Sequence, residues 1–336
     1  MRLRHATVLI TGGSSGVGLA LARQLVARDN TVIIVGRGLA ALEAAQAETP
    51  DLHIAVCDVT APAAVTELYA ELADAFPALN VLINCAGVMR RLDLRADLDP
   101  DDLTLEIDVN LKAAMWMTAR FLPLLGVKAE AAIVNVTSGF AYVPMAIAPV
   151  YSASKAGLRA YTRSLRAQMA GTGIQVFEIA PPVHETPLRD WSAAEHVPAP
   201  LSAEAVARAA IAGIERGAIE TVIGPAGRLR ILSRLAPKLA FARLNDDPVS
   251  RMAIARIGAG SGAPAVQSSL QAGGAQPDSV GGAGPSWAAA GIPAARGPQS
   301  CAEASALDCG GLHQSRAAEA SVLNSAAGGD RTGSAP

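Results

Sequence analysis

In Val150-Tyr151-Ser152-Ala153-Ser154-Lys155-Ala156-Gly157 a tyrosine and a lysine stand four positions apart. If the segment is helical, phenol and ammonium project from one face. A free phenol, with pKa about 10, keeps its proton at neutral pH, whereas a neighbouring cation favours phenolate and brings the group towards acid–base work near pH 7. A shift of about three units needs roughly 4 kcal/mol, more than an exposed ion pair supplies, so such a site must be partly dry and have further partners. The pair alone says little, because Tyr-x-x-x-Lys also occurs on solvated helix faces. Other segments decide what it is for.

Thr7-Val8-Leu9-Ile10-Thr11 reads as a short buried strand running into Gly12-Gly13-Ser14-Ser15-Gly16-Val17-Gly18, with an amphipathic stretch from Leu19 to Arg28 behind it. Strand, glycine turn and helix in that order suit a pyrophosphate. Glycines permit φ > 0 and close backbone approach, and a helix N-terminus offers free N–H groups at the positive end of its dipole. The spacing differs from the Gly-x-Gly-x-x-Gly fingerprint, and a plain strand-to-helix turn is the alternative. Leu82-Ile83-Asn84-Cys85-Ala86-Gly87 and Ile133-Val134-Asn135-Val136-Thr137-Ser138 each close another hydrophobic run. In an open parallel sheet ligands bind outside the carboxyl ends of the strands, where Gly12, Asn84 and Ser138 would all sit. The Ser138 hydroxyl could there meet the phenol over a substrate carbonyl.

These residues resemble the short-chain dehydrogenase/reductase family, non-extended type, from residue 5 to about 225. The motifs are Thr11-Gly12, Gly16, Gly18, Asp58-Val59, Asn84-Cys85-Ala86-Gly87, Asn110, Ser138, Tyr151 and Lys155. The resemblance implies that Tyr151 is the general acid/base and that Ser138 orients the carbonyl. It implies that Lys155 lowers the Tyr151 pKa and holds the nicotinamide ribose, and that Asn110 holds a water in a proton relay. Cofactor contacts would fall on Gly12, Ser14, Ser15, Gly16, Val17, Gly18, Arg37, Asp58, Val59, Asn84, Ala86, Gly87, Tyr151, Lys155, Pro181, Val183 and Thr186, with Asp58 accepting from the adenine amino group. Ala180-Pro181-Pro182-Val183-His184-Glu185-Thr186 and the run Leu232 to Phe241 look most like the reductases named for an association with D-alanine esterification of teichoic acids. Two departures from the family pattern stand out. Cys85 replaces an Asn, and Pro182 replaces a Gly and stiffens the backbone beside the nicotinamide carboxamide.

Composition sets the frame. A formal net charge of −2 over 336 residues offers no broad basic field for nucleic acid. From Gly258 the chain turns Ala/Gly/Ser/Pro-rich, with Trp287 its one aromatic residue and no sustained period, so residues 258–336 read as a disordered tail. About 250 residues remain, an ordinary size for one doubly wound domain. Strands are predicted near 7–11, 31–36, 52–57, 80–84, 131–138, 173–180 and 220–223, with helices between them. That alternation implies an α/β Rossmann-type fold with a doubly wound parallel sheet. Residues 1–227 form the catalytic domain in this reading and 228–257 a basic amphipathic segment.

Cys57, Cys85, Cys301 and Cys309 show neither a disulfide framework nor a metal spacing. No targeting segment or spanning run is visible, so a cytoplasmic protein is expected.

Gly36-Arg37 closes the second strand. An acidic residue at 36 would bind the adenosine ribose and repel a 2′-phosphate, whereas glycine followed by arginine leaves room and supplies a cation, so NADP(H) is favoured over NAD(H). The competing reading is that Arg37 is a solvated helix-start residue and Asp58 a helix N-terminal acid. Met115, Trp116 and Met117 read as packing, and Tyr142 and Tyr161 as structural. Residues 182–201 read as a lid, with Phe140, Met145 and Trp191 pointing to an apolar substrate.

Residues 228–243 mix five cations with large apolar residues. They either pack on the subunit or lie against anionic lipid, and Pro237 favours packing. The function expected is NADP(H)-dependent hydride transfer between nicotinamide and a carbonyl or secondary alcohol. The alternatives are a non-catalytic nucleotide-binding regulator and a reductase of a membrane-linked substrate, with peripheral membrane contact. Ala153, Ala156, Gly157 and Ala160 suggest a helix surface on which a homodimer or homotetramer could form.

Overall fold

β-Branched and leucine-rich runs, each too short for a helix, become the strands of a computed structural model that describes residues 1–182 and 201–246. The chain runs β1 (Thr7–Thr11), α1 (Gly16–Val26), β2 (Thr31–Gly36), α2 (Leu39–Glu48), β3 (Leu52–Val56), α3 (Pro62–Ala75) and β4 (Leu79–Asn84). It continues through α4 (Pro100–Leu103), α5 (Leu105–Ile107), a π-helical turn (Asp108–Lys112), α6 (Ala113–Gly126), β5 (Ala131–Val136), a 3₁₀ turn (Gly139–Ala141), α7 (Pro149–Gln168) and β6 (Ile174–Ala180). It ends with α8 (Ala203–Glu215), β7 (Glu220–Val222), α9 (Ala226–Leu235) and α10 (Pro237–Asn245).

All seven strands are parallel, in the order β3-β2-β1-β4-β5-β6-β7. Sequence order reverses between β1 and β4, where the helices that follow leave opposite faces and open a crevice. Successive side chains feed opposite cores, as a pleated strand requires. Val8, Ile10, Ile34, Ile83 and Val134 pack with α1 and α8, whereas Leu9, Ile33, Leu82 and Ile133 pack with α3, α6 and α7. Phe177 and Phe121 anchor the two layers, both fully buried, and truncation of either to alanine would cost about 3–5 kcal/mol.

The last two helices meet where a break was expected. Ala236, at φ −147° and ψ 65°, ends α9, and Pro237 opens α10 at the position where its missing N–H costs nothing. Val183, Thr186, residues 183–200 of the expected lid and the Gly258–Pro336 tail lie outside the described residues.

Candidate active site

The turn after β1 is shaped by contacts only glycine tolerates. Gly12 has φ +67°, and a Cβ there would stand 2.7 Å from Ala86 Cα, so the loops after β1 and β4 touch backbone to backbone. Gly18 seats α1 on this turn, since a Cβ would fall 2.2 Å from the Gly12 carbonyl oxygen. Thr11 fastens the same junction, its hydroxyl accepting from the Cys85 and Ala86 amides at 3.1 Å each. Ser15 caps α1 in extended conformation without a side-chain bond to it, and the first turn carries no acid. The helix therefore presents unfilled N–H groups to the crevice, an arrangement that suits an anion. A Cβ on Gly36 would meet Ser14 Oγ at 3.5 Å and Leu42 Cδ2 at 3.4 Å, so position 36 borders this turn, and Arg37 beside it is exposed. Asp58 turns one oxygen onto Thr60, accepting from its amide at 2.9 Å and its hydroxyl at 2.7 Å. These residues fit the phosphates and adenosine of a dinucleotide.

Across the crevice four side chains converge. Tyr151 and Lys155 lie one turn apart near the start of α7, and Lys155 Nζ is 5.9 Å from the phenol ring centroid. Lys155 is buried and donates to the Val136 carbonyl at 2.9 Å. A Cβ built on Gly87 would stand 3.3 Å from Lys155 Nζ and 3.2 Å from Asn110 Oδ1, which places both groups around one glycine. Ser138, just past β5, caps the 3₁₀ turn by accepting from Phe140 N at 3.2 Å, and its hydroxyl also bonds the Tyr151 phenol. Phe140, Met145 and Ile147 form a small apolar cluster against which Tyr151 and Met89 pack.

Asn110 sits in the π turn. Its amide accepts from Val88 N at 2.7 Å and donates to Val88 O at 2.9 Å and Ser154 Oγ at 2.9 Å. π turns inside helices gather at functional sites, and nothing in the local residue types announced this one. The Asn84 side chain turns inward. It donates to Asn135 Oδ1 at 2.9 Å and Thr118 Oγ1 at 3.3 Å, and Asn135 donates on to Thr162 at 2.9 Å. That buried chain ties β4 to β5 and α7, leaving the Asn84 main chain to border the crevice.

The electrostatics of the chain without cofactor run opposite to the simple cation argument. Burial pushes the Tyr151 phenol up to about 12, with Glu106 and Cys85 adding to the rise and only the Ser138 bond opposing it. Burial pulls Lys155 down to about 8, partly offset by Cys85. Both groups resist ionisation in a dry site, and the ammonium spends a bond on Val136 rather than on the phenol. Cys85 is itself pushed by burial up to about 11, so it stands as a neutral thiol.

Sequence reasoning missed Glu106. It is fully buried, one turn before Asn110, and accepts from Arg90 N at 2.7 Å. Asn110 and Glu106 together hold residues 88 and 90 in front of α7, which lays Met89 against the Tyr151 cluster. The signal was a carboxylate four positions before Asn110. Asn245 was missed as well, although it accepts from Ala146 N at 2.6 Å and donates to Pro144 O at 3.1 Å, fixing the loop before Tyr151. Pro181 receives Gly139 N at 2.9 Å on its carbonyl.

A parallel sheet with a glycine-lined crevice at its switch point, faced by a tyrosine and a buried lysine, defines a dinucleotide-binding α/β enzyme fold. The model of the short chain dehydrogenase family matches residues 6–196, and the chain belongs to that family. The Bacillus subtilis protein named uncharacterized oxidoreductase DltE is 41% identical over 197 residues, covering 57% of this chain and 77% of its own. This agrees with the subgroup that the sequence resembles. Sulfoacetaldehyde reductase 2 of Chromohalobacter salexigens is 36% identical over 183 residues, 53% of this chain and 73% of its own. Among solved structures, a short chain dehydrogenase from Burkholderia cenocepacia in complex with NADP superposes with TM-score 0.64 at 26% identity, over 73% of this chain and 99% of that one. The protein is a short-chain dehydrogenase/reductase with an oxidoreductase's fold.

Proposed function

We propose that the protein is an NADP(H)-dependent oxidoreductase that interconverts a carbonyl and a secondary alcohol, with Tyr151 as general acid/base. The observation that carries this reading is the convergence of Lys155 and Asn110 on Gly87 beside a phenol bonded to Ser138. A nicotinamide held in the crevice would supply or take the hydride. The chain's own residues do the rest. In reduction the Tyr151 phenol, held protonated by burial, gives its proton to the developing alkoxide, while Ser138 orients the carbonyl. In oxidation the same phenol must first become phenolate, and this demands a cation that the chain alone does not bring into contact. Lys155, freed from Val136 and charged, would supply it while holding the ribose hydroxyls. The side-chain amide of Asn110 is committed to Val88 and Ser154. Its π turn shifts the backbone bonding register, which would free a carbonyl for the relay water.

Ser14, Ser15, Gly16 and Val17 at the head of α1 would hold the pyrophosphate, and Arg37 would face the 2′-phosphate. Ala86, Val59 and Asp58 would flank the adenosine. The Phe140, Met145, Ile147 and Met89 wall favours an apolar substrate. A panel of carbonyls and alcohols with both nicotinamide cofactors, read by absorbance, tests the activity. In that panel Tyr151→Phe should lower turnover by about 10²-fold or more while leaving the cofactor dissociation constant nearly unchanged. Turnover close to the parent's would remove Tyr151 from the mechanism.

A further inference from the structure

The α9–α10 corner turns a cluster of large apolar side chains outward. Its fully buried residues are small or polar, Ala226, Ala240 and Asn245, whereas four of its large apolar residues face solvent and Leu229, Leu232 and Leu244 are half-buried. Ile231 is 59% exposed, Leu235 80%, Leu239 50% and Phe241 45%. A pair of helices that merely completed the core would show the reverse. Leu235 ends α9 and Leu239 lies in the first turn of α10, so the exposed apolar side chains gather around the bend at Ala236.

Charge says what covers them. Between Ala226 and Asn245 stand Arg228, Arg230, Arg234, Lys238 and Arg243, and no aspartate or glutamate. Arg230 pairs with Glu220 of β7 at 3.3 Å, while Arg228, Arg234, Lys238 and Arg243 are exposed. Arg234 and Leu235 share the solvent-facing stripe that begins at Arg228 and Ile231. Apolar side chains rimmed by cations of one sign match an anionic bilayer surface, where the apolar groups enter the headgroup boundary and the cations meet lipid phosphates. A second copy of this surface is a poor occupant, because it would set like charges against each other. No helix among the described residues is long and apolar enough to cross a membrane, so contact here is peripheral.

We propose that the exposed face of α9 and α10 docks the protein on anionic lipid. Docking there has a bearing on the proposed site. Leu244 packs on the Phe140, Met145 and Ile147 cluster beside Tyr151, and Asn245 holds the loop before it, so lipid contact brings the substrate end of the crevice close to the bilayer. The binding claim itself does not depend on the catalytic reading.

The test is co-sedimentation of the full chain with phosphatidylcholine vesicles, with and without phosphatidylglycerol. Binding is expected only with phosphatidylglycerol and should fall with added salt. Arg234→Glu/Lys238→Glu and, separately, Ile231→Ser/Leu235→Ser should each weaken it by about tenfold or more, with circular dichroism and thermal midpoint unchanged because all four side chains are exposed. Equal binding to neutral vesicles, no binding to either, or variants that bind like the parent would overturn the proposal. So would light scattering in lipid-free buffer showing that the Ile231→Ser/Leu235→Ser variant breaks up an oligomer, since the face would then join copies of the chain.

Discussion

Lys155 is pulled two ways at the residue scale. Without cofactor its ammonium is buried with a carbonyl for company, and burial brings its pKa from 10.5 to about 8. Ribose hydroxyls and nearby phosphates would favour the charged form, so the pKa in the complex must lie above that of the free chain. Linkage then fixes the sign, because the state with the higher pKa gains affinity wherever it binds the extra proton. Cofactor affinity should be full below pH 8 and should decline as the pH rises beyond it. Lys155→Met should weaken binding overall and flatten this decline. Fluorescence titration of cofactor at several pH values measures both, and a parent curve that stays level from pH 7 to 10 would exclude Lys155 from the cofactor site.

Among the elements, the end of β2 carries the cofactor choice. Gly36 borders Ser14 without crowding it, and Arg37 is exposed beside that gap. Arg37→Asp should therefore shift the ratio of kcat/KM for NADP over NAD by about tenfold or more towards NAD, because the carboxylate repels a 2′-phosphate and accepts from a free hydroxyl. A parent that already prefers NAD would show that Arg37 is a solvated residue. The same scale shows what the sequence made legible. Strand ends came within two residues because the β-branched apolar runs give way there to glycine, polar residues or proline. β5 stops at Val136 rather than 138: the Thr137 amide still donates to Ile179 O of β6 at 2.8 Å, but Ser138 turns to cap the 3₁₀ turn. Tyr151 and Lys155 were legible because helical spacing links them. Glu106 to Arg90 and Thr11 to Ala86 join positions 16 and 75 apart, and such contacts leave no period to read.

For the whole molecule, α7 is the surface to watch. Ala153, Ala156 and Ala160 are exposed, as close helix approach would require, whereas Gly157 faces inward, where a Cβ would meet Leu111 Cδ2 at 2.9 Å. The stripe expected from four small residues is thus three, and Gly157 serves the subunit's own packing. We expect self-association through the alanine face. Ala156→Arg should reduce the mass seen by light scattering at micromolar concentration while keeping the helical signal. An active monomer in the parent would rule the interface out.

Asn245 gives the molecule a direction in time. The loop just ahead of Tyr151 is held by a side chain that lies 99 positions beyond Ala146, whereas the glycine turn, Thr11 and the loop after β4 are complete within the first ninety residues. A ribosome therefore releases every part of the described nucleotide crevice up to Asp58 and Gly87 long before it releases the residue that settles the loop ahead of the proton donor. Nascent chains stalled with β1 to β7 exposed, α8 included, should already retain cofactor yet show no turnover, and turnover should begin only when Asn245 has cleared the exit tunnel. Replacing it with alanine in the finished protein strands the Ala146 amide and should cost about 1–3 kcal/mol in urea unfolding. Turnover from chains released before Asn245 would show that the loop finds its place unaided.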